Sequence, residues 1–218
     1  MRILATSDLH GDHGAYSWMV QVAASREPDA VVLAGDLLGG PPGFETIEAA
    51  QAHDAAAVLG ILRGISCPVL YVMGNDDMIE LPPGPAHVAS VHGRRIDIGG
   101  CNFVGYQYSL PFMAGVFEKL DAEIKRDLLA LEPLVDERTV FITHSPAYGV
   151  LDRVQEVEHA GSRSLLDFIH SRRPRVHLHG HIHAQAGRQG RHWNLAAYRH
   201  KRAVLIDLET LEDEILEG

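Results

Sequence analysis

Side chains able to hold a divalent metal recur in this sequence at the ends of short apolar runs. Asp8 and His10 follow Arg2–Ser7, and Asp36 follows Ala30–Ala34. Asn75, Asp76 and Asp77 follow Pro68–Met73, His144 follows Thr139–Thr143, and His181 and His183 follow Arg175–Leu178. Asp8 and His10 are two residues apart, as are His181 and His183. In an extended segment residues i and i+2 point to the same side, so each pair could converge on one point. The donors are oxygen and imidazole nitrogen without thiolate, a set that suits Mn, Fe, Zn, Co or Ni better than a structural thiolate zinc site. Cys67 and Cys101 lack metal-type spacing and read as small apolar residues in a reducing compartment.

Positioning these groups requires a sheet whose strands all end on one edge. Arg2–Ser7, Ala30–Ala34 and Pro68–Met73 are apolar throughout, as buried parallel strands are. Between them, a helix is predicted from after Gly14 to Glu27, with Tyr16, Met19, Val20 and Ala23 at helical spacing, and a second from Phe44 to Arg63. In such β-α-β-α-β arrangements ligands bind beyond the carboxyl ends of the strands. The next runs, Val88–Val91, Arg95–Ile98 and Asn102–Tyr106, are short and broken by glycines, which predicts a meander. A helix over Glu118–Leu131, a strand at Thr139–Thr143, a helix capped by Ser162 and running to His170, and strands at Arg175–Leu178, Trp193–Ala197 and Ala203–Leu208 complete the reading. No repeat or linker divides it, so residues 1–218 read as a single domain.

The chain has 218 residues, 14 of them His, and a formal net charge of −10. That acidity disfavours stable binding to nucleic acid or to anionic membranes. No apolar stretch reaches the ~20 residues of a membrane span, and the N-terminal run is too short for a signal peptide, so a cytoplasmic protein is expected. One stretch runs against the overall charge. Gly161–Arg202 carries nine Lys and Arg against one acid, Asp167. Most of these read as solvated surface groups, with Arg188 and Arg191 as the candidates for attracting an anionic substrate.

Taken in order, Asp8-x-His10, Gly35-Asp36, Gly74-Asn75-x-Asp77, His144 and Gly180-His181-x-His183 resemble the five-block signature of the calcineurin-like metallophosphoesterases. One block alone is weak; five in order, each at a predicted strand end, carry the resemblance. It implies an α/β fold, a four-layer αββα sandwich with mixed sheets and helices on the outer faces. It also implies two divalent metal ions, manganese first, with Fe, Zn, Ni or Co as alternatives. By the same resemblance Asp8, His10 and His183 hold one metal, Asn75, His144 and His181 hold the other, and Asp36 bridges them. The implied activity is hydrolysis of phosphomonoesters or phosphodiesters through a metal-bridging hydroxide. The expected partner is a small phosphoester, with nucleotides among the candidates.

The third block departs from the family pattern, Gly-Asn-His-Asp or Gly-Asn-His-Glu, whose His assists the leaving group. Asp76 stands at that position. A carboxylate beside two divalent cations is ionised at pH 7, a poor proton donor that repels phosphate. Leaving groups that are already weak bases are therefore the expected preference. A catalytically weak, metal-binding interaction scaffold on the same fold is the alternative. His13 is the candidate replacement for the missing imidazole, against a solvated loop residue. Asp77 is expected to orient or hydrogen-bond within the site, against a simple turn residue. His179 is weighed as a support for the ligands against a buried, hydrogen-bonded strand residue. No Gly-x-Ser-x-Gly elbow surrounds Ser145, which argues against a serine nucleophile.

Overall fold

Strands that are apolar on both faces need a layer on each side. The structure, a computed structural model, describes residues 1–154 and 158–218 and supplies both layers. One six-stranded sheet contains β1 (Arg2–Thr6), β2 (Ala30–Ala34), β3 (Val69–Val72), β4 (Val88–Ser90), β13 (Arg202–Asp207) and β14 (Asp213–Glu217). Its order is β14-β13-β1-β2-β3-β4. The steps from β1 to β4 are parallel, and β13 and β14 add antiparallel. The second sheet contains β5 (Arg95–Ile98), β6 (Cys101–Tyr106), β7 (Thr139–Thr143), β10 (Val176–His179), β11 (Gly187–Gln189) and β12 (His192–Asn194). Its order is β11-β12-β10-β7-β6-β5, parallel from β6 to β12 and antiparallel at both edges. β8 (Arg153–Val154) and β9 (Glu158–His159) pair antiparallel as a small separate sheet.

Alternation along each strand divides its residues between two cores. Ile3 and Ala5, Val32, Val72, Val140 and Ile142, Leu178, Trp193 and Val204 fill the space between the sheets. Leu4, Val31, Leu33 and Tyr71 face outward onto helices α1 (His13–Arg26) and α2 (Ile47–Leu62). Val104, Tyr106 and Phe141 face outward onto α3 (Asp121–Leu131) and α4 (Arg163–Arg172). The architecture is therefore a four-layer αββα sandwich. The Ser162 cap of α4 is present, its hydroxyl accepting from Leu165 N at 3.0 Å. Among the described residues no helix is long and apolar enough to cross a membrane.

The expected meander is not formed. β4 returns parallel to β3, while β5 and β6 form a hairpin in the other sheet. A parallel return needs a connection of about a dozen residues or more, and residues 73–87 provide it. The chain then passes between sheets at Val91, which is buried in the inner core and accepts from Gly105 N at 2.9 Å. Strand β14 was not anticipated either; its acidic residues suit its place at a sheet edge.

Candidate metal centre

Every run named above as preceding a candidate ligand ends at one edge of the sandwich, and the polar residues that follow converge there. The convergence does not come from extended i, i+2 geometry. Asp8, His10, Asp36 and His181 have φ of 58°, 43°, 52° and 73°. Left-handed backbone at a non-glycine residue costs about 1–3 kcal/mol and persists where the surroundings impose it. Here they do. Asp8 N donates to Gly35 O at 3.0 Å and His10 N to Asp36 O at 2.9 Å, knitting the first two strand ends together. His181 N donates to both Asp8 carboxylate oxygens at 3.1 and 3.2 Å, tying in the second sheet. Two glycines let the loops approach so closely. A Cβ on Gly74 would strike the Asp36 carboxylate, and one on Gly180 would strike that of Asp8.

Asp36 lies at the centre. Its Oδ2 is 3.7 Å from His10 Nε2 and 3.2 Å from His144 Nε2, so one carboxylate oxygen stands between the two imidazoles. Asp8 lies beside it, with Oδ1 3.1 Å from His183 Nε2. Asn75 Oδ1 is 3.0 Å from His144 Nε2. His181 packs its ring edge-on to His144 at 5.2 Å between centroids. Three groups have ligand atoms close enough to share an ion: Asp8, His10 and His183; Asp8, Asp36 and His144; and His10, Asp36 and Asp76. Six of the seven expected ligands thus have donor atoms joined in one place, and His181 meets them through its ring against His144.

The charges and orphaned atoms fit a cation. His10 Nε2 is buried among carboxylates with no hydrogen-bond partner, while its Nδ1 is 3.1 Å from Asp76 Oδ2. A carboxylate accepting from one imidazole nitrogen fixes the tautomer that leaves the other free for a metal. Burial alone would raise the Asp8 carboxyl, but His183, His144 and Ser7 outweigh it and hold it at about 2. Burial would likewise lower the His144 imidazole, yet Asp36 and Asp8 push it up to about 10. A proton on His144 thus offsets carboxylate charge that a divalent ion would neutralise in its place. His181 goes the other way, with burial and then the His144 charge pulling it down to about 4. It is therefore neutral near pH 7, as a ligand must be.

Three further residues weighed for the site take these places. Asp76 is held ionised chiefly by its hydrogen bond with His10, so it orients a ligand and does not donate protons. Asp77 is fully buried and accepts from Gly74 N at 2.8 Å, Leu37 N at 2.9 Å and Leu38 N at 2.8 Å. It braces two of the strand-end loops and is a positioning residue. Burial, then the Asp36 charge, push its carboxyl up to about 7. His13 begins α1 with Nε2 2.6 Å from Asp54 Oδ1, and it belongs to none of the ligand groups. The same carboxylate also accepts from Gly39 N at 2.8 Å, tying the start of α1 to α2 and to the loop after β2.

Elsewhere, His179 is buried and neutral, pushed down to about 3 by burial, with its ring stacked on His177. Arg188 is 2.7 Å from Asp213 and lies over the Trp193 ring, so it is a paired surface group. Tyr198 was missed. Its ring stacks on His183 at 4.3 Å and meets His10 edge-on at 5.1 Å. No motif marks it; only its place beyond β12, on the chain that hydrogen-bonds back to Ser7, brings it there.

A family model described as calcineurin-like phosphoesterase matches residues 1–185. UPF0046 protein K07C11.7 of Caenorhabditis elegans is 31% identical over 101 residues, covering 46% of this chain and 33% of the relative. The chain thus spans about a third of the length of that curated relative. TT1561 of Thermus thermophilus has a similar structure with TM-score 0.71 and 22% identity, covering 99% of this chain and 98% of that one. A dimetal phosphatase from Danio rerio gives TM-score 0.58 at 12% identity, covering 100% and 98%. At these identities the solved structures speak for the fold.

Proposed function

The chain belongs to the calcineurin-like phosphoesterase family, and from that premise we propose that it is a dinuclear metal-dependent hydrolase of small phosphomonoesters or phosphodiesters. The observation that carries this reading is Asp36 Oδ2 standing between His10 Nε2 and His144 Nε2, with Asp8 and Asn75 flanking them. Two divalent ions held by this set, manganese foremost, would supply an activated water and neutralise charge on the phosphoryl oxygens. The chain's own residues do the rest. Asp36 holds the two halves at one spacing, and Asp76 keeps His10 Nε2 free. Ser7 donates to Asp8, and together with His181 N it fixes the direction of that carboxylate. Tyr198 covers the His183 and His10 rings on the open side. The reading includes a cytoplasmic setting, supported by the free thiols of Cys67 and Cys101.

The test is a panel of aryl and alkyl phosphoesters offered to metal-stripped protein with Mn, Ni, Co, Zn or Mg. Turnover that appears only with added metal supports the proposal. Stoichiometric metal without turnover on any ester would favour the second reading, a metal-binding interaction scaffold. That reading draws on Asp76 standing where the family has its leaving-group His.

A further inference from the structure

A second group of histidines belongs to none of the ligand groups of the candidate metal centre. His177 of β10 and His192 of β12 stand opposite each other in register, on the sheet face that carries Phe141. Their hydrogen-bond directions are fixed from one end. Thr143 Oγ1 is 2.5 Å from Ser145 O, so its hydroxyl donates to that carbonyl. Toward His177 Nε2, 2.9 Å away, the same oxygen can then only accept. His177 is buried, and burial holds its imidazole neutral, well below the ordinary range. With its hydrogen on Nε2, its Nδ1 is a bare acceptor. The hydrogen in the 3.1 Å contact between the two Nδ1 atoms therefore belongs to His192. Burial and then His170 push His192 below its ordinary value as well. A neutral His192 thus presents Nε2 as a bare lone pair, without a hydrogen-bond partner among the described residues.

His192 lines a cavity of about 450 Å³ together with His170, Arg173 and Arg191, and no acidic residue contributes to its wall. Other arginines of this region are occupied. Arg172 donates to Val135 O, Arg175 to Leu208 O and Glu209 O, and Arg188 to Asp213. Arg173 and Arg191 are exposed and form no ion pair among the described residues. The C-terminal end of α4 accounts for a basic residue at position 173. It does not account for Arg191, which lies in the turn between β11 and β12 and is held to β10 by His177 N donating to its carbonyl at 2.9 Å.

Two unpaired guanidinium groups beside a bare imidazole nitrogen match a ligand that is both an anion and a hydrogen-bond donor. Sulfate and phosphodiesters carry the charge without a hydroxyl. A phosphomonoester loses its hydroxyl above about pH 6. Inorganic phosphate keeps one throughout the neutral range. We propose that this cavity is a binding site for inorganic phosphate. Arg173 and Arg191 donate to its charged oxygens, as guanidinium groups commonly do, and its P–OH donates to His192 Nε2. The site uses no metal, so it stands apart from the phosphoesterase reading.

The experiment follows the imidazole resonances of the full chain by NMR, with zinc bound and after metal removal. Inorganic phosphate, methyl phosphate or sulfate is added at constant ionic strength and about pH 7.5, where the monoester has lost its hydroxyl. Phosphate is expected to shift His192 and His170 saturably, with and without zinc. Methyl phosphate and sulfate are expected to bind about tenfold more weakly, the scale of one missing charge-assisted hydrogen bond. R173Q/R191Q is expected to weaken phosphate binding by at least about tenfold, with a melting temperature equal to that of the wild type. R188Q removes a charge from the same hairpin and is expected to leave the affinity close to that of the wild type. No shift at His192, equal affinity for the three anions, a shift that appears only with zinc bound, or equal losses in R188Q and R173Q/R191Q would overturn the assignment.

Discussion

The two sheets contribute to the candidate metal centre in different ways. The first supplies Asp8, His10, Asp36 and Asn75 from loops that are cross-braced: Asp77 accepts three backbone N–H groups, and Gln51 bridges Asp76 O and Met78 N at 2.8 and 2.6 Å. The second supplies imidazoles. His144 is buried and fixed through Nδ1 to Ala34 O at 2.9 Å, but His183 sits at the open side against Tyr198, and His181 borders a cavity of about 270 Å³ shared with Leu110 and Phe112. One half is a buried acidic anchor. The other is a partly open imidazole wall through which a substrate would approach. Affinity for metal should therefore concentrate in the first half, and selection among substrates in the second.

The sharpest way to break this contrast is Asp36→Asn, which keeps the shape of the central side chain and removes its charge. Metal stoichiometry should fall, and turnover should drop by about 10²–10³-fold, the scale of losing one major charge-stabilising group. Elemental analysis and steady-state kinetics check it; unchanged stoichiometry would remove Asp36 from the centre. Asp77→Ala comes next. It leaves three buried N–H groups without an acceptor, at about 1–3 kcal/mol for each, so the melting temperature should fall clearly and metal affinity should fall about 10–100-fold. A variant as stable as the wild type would mean that the first half is not braced as described.

Protons sharpen the same comparison. Asp36 and Asp8 raise the His144 imidazole from 6.5 to about 10. A raised folded-state value stabilises fully below 6.5 and is lost as pH climbs through about 10. Metal-free protein should therefore melt at progressively lower temperature across that window, and His144→Asn should flatten the slope. Bound metal should flatten it as well, since it displaces the proton. A metal-free protein whose melting temperature is level from pH 6.5 to pH 10 would contradict the charge assignment. The smallest effect is expected from Tyr198→Ala on the open side, about tenfold in metal affinity with little change in melting temperature. A loss as large as that of Asp36→Asn would erase the distinction between the halves.

Much of the anchor was legible in the sequence because backbone demands and donor chemistry coincide there. Gly35-Asp36, Gly74-Asn75 and Gly180-His181 mark where a strand stops and a ligand starts, and the runs Ala30–Ala34 and Thr139–Thr143 match β2 and β7 residue for residue. The route to convergence was not legible. Extended i, i+2 pairs were expected, whereas left-handed turns at Asp8, His10, Asp36 and His181 bring the ligands together, and these depend on partners from distant loops. Long-range choices were lost for the same reason. Local turn signals around Gly93 and Gly99 suggested a meander, but β4 pairs with β3 across residues 73–87. Arg188 looked available until Asp213 claimed it, and His13 is drawn to Asp54 of α2. Tyr198 lies in no recurring pattern; tertiary structure alone places it on His183.

The central claim is that Asp36 joins two metal positions into one hydrolytic centre. Stepwise titration of metal-stripped protein with manganese, with bound metal and hydrolysis of a 4-nitrophenyl phosphodiester read on the same samples, tests it most directly. The account predicts two ions bound per chain and turnover that rises with occupancy of the second. Saturation at one ion with full turnover, or turnover independent of metal, would contradict it.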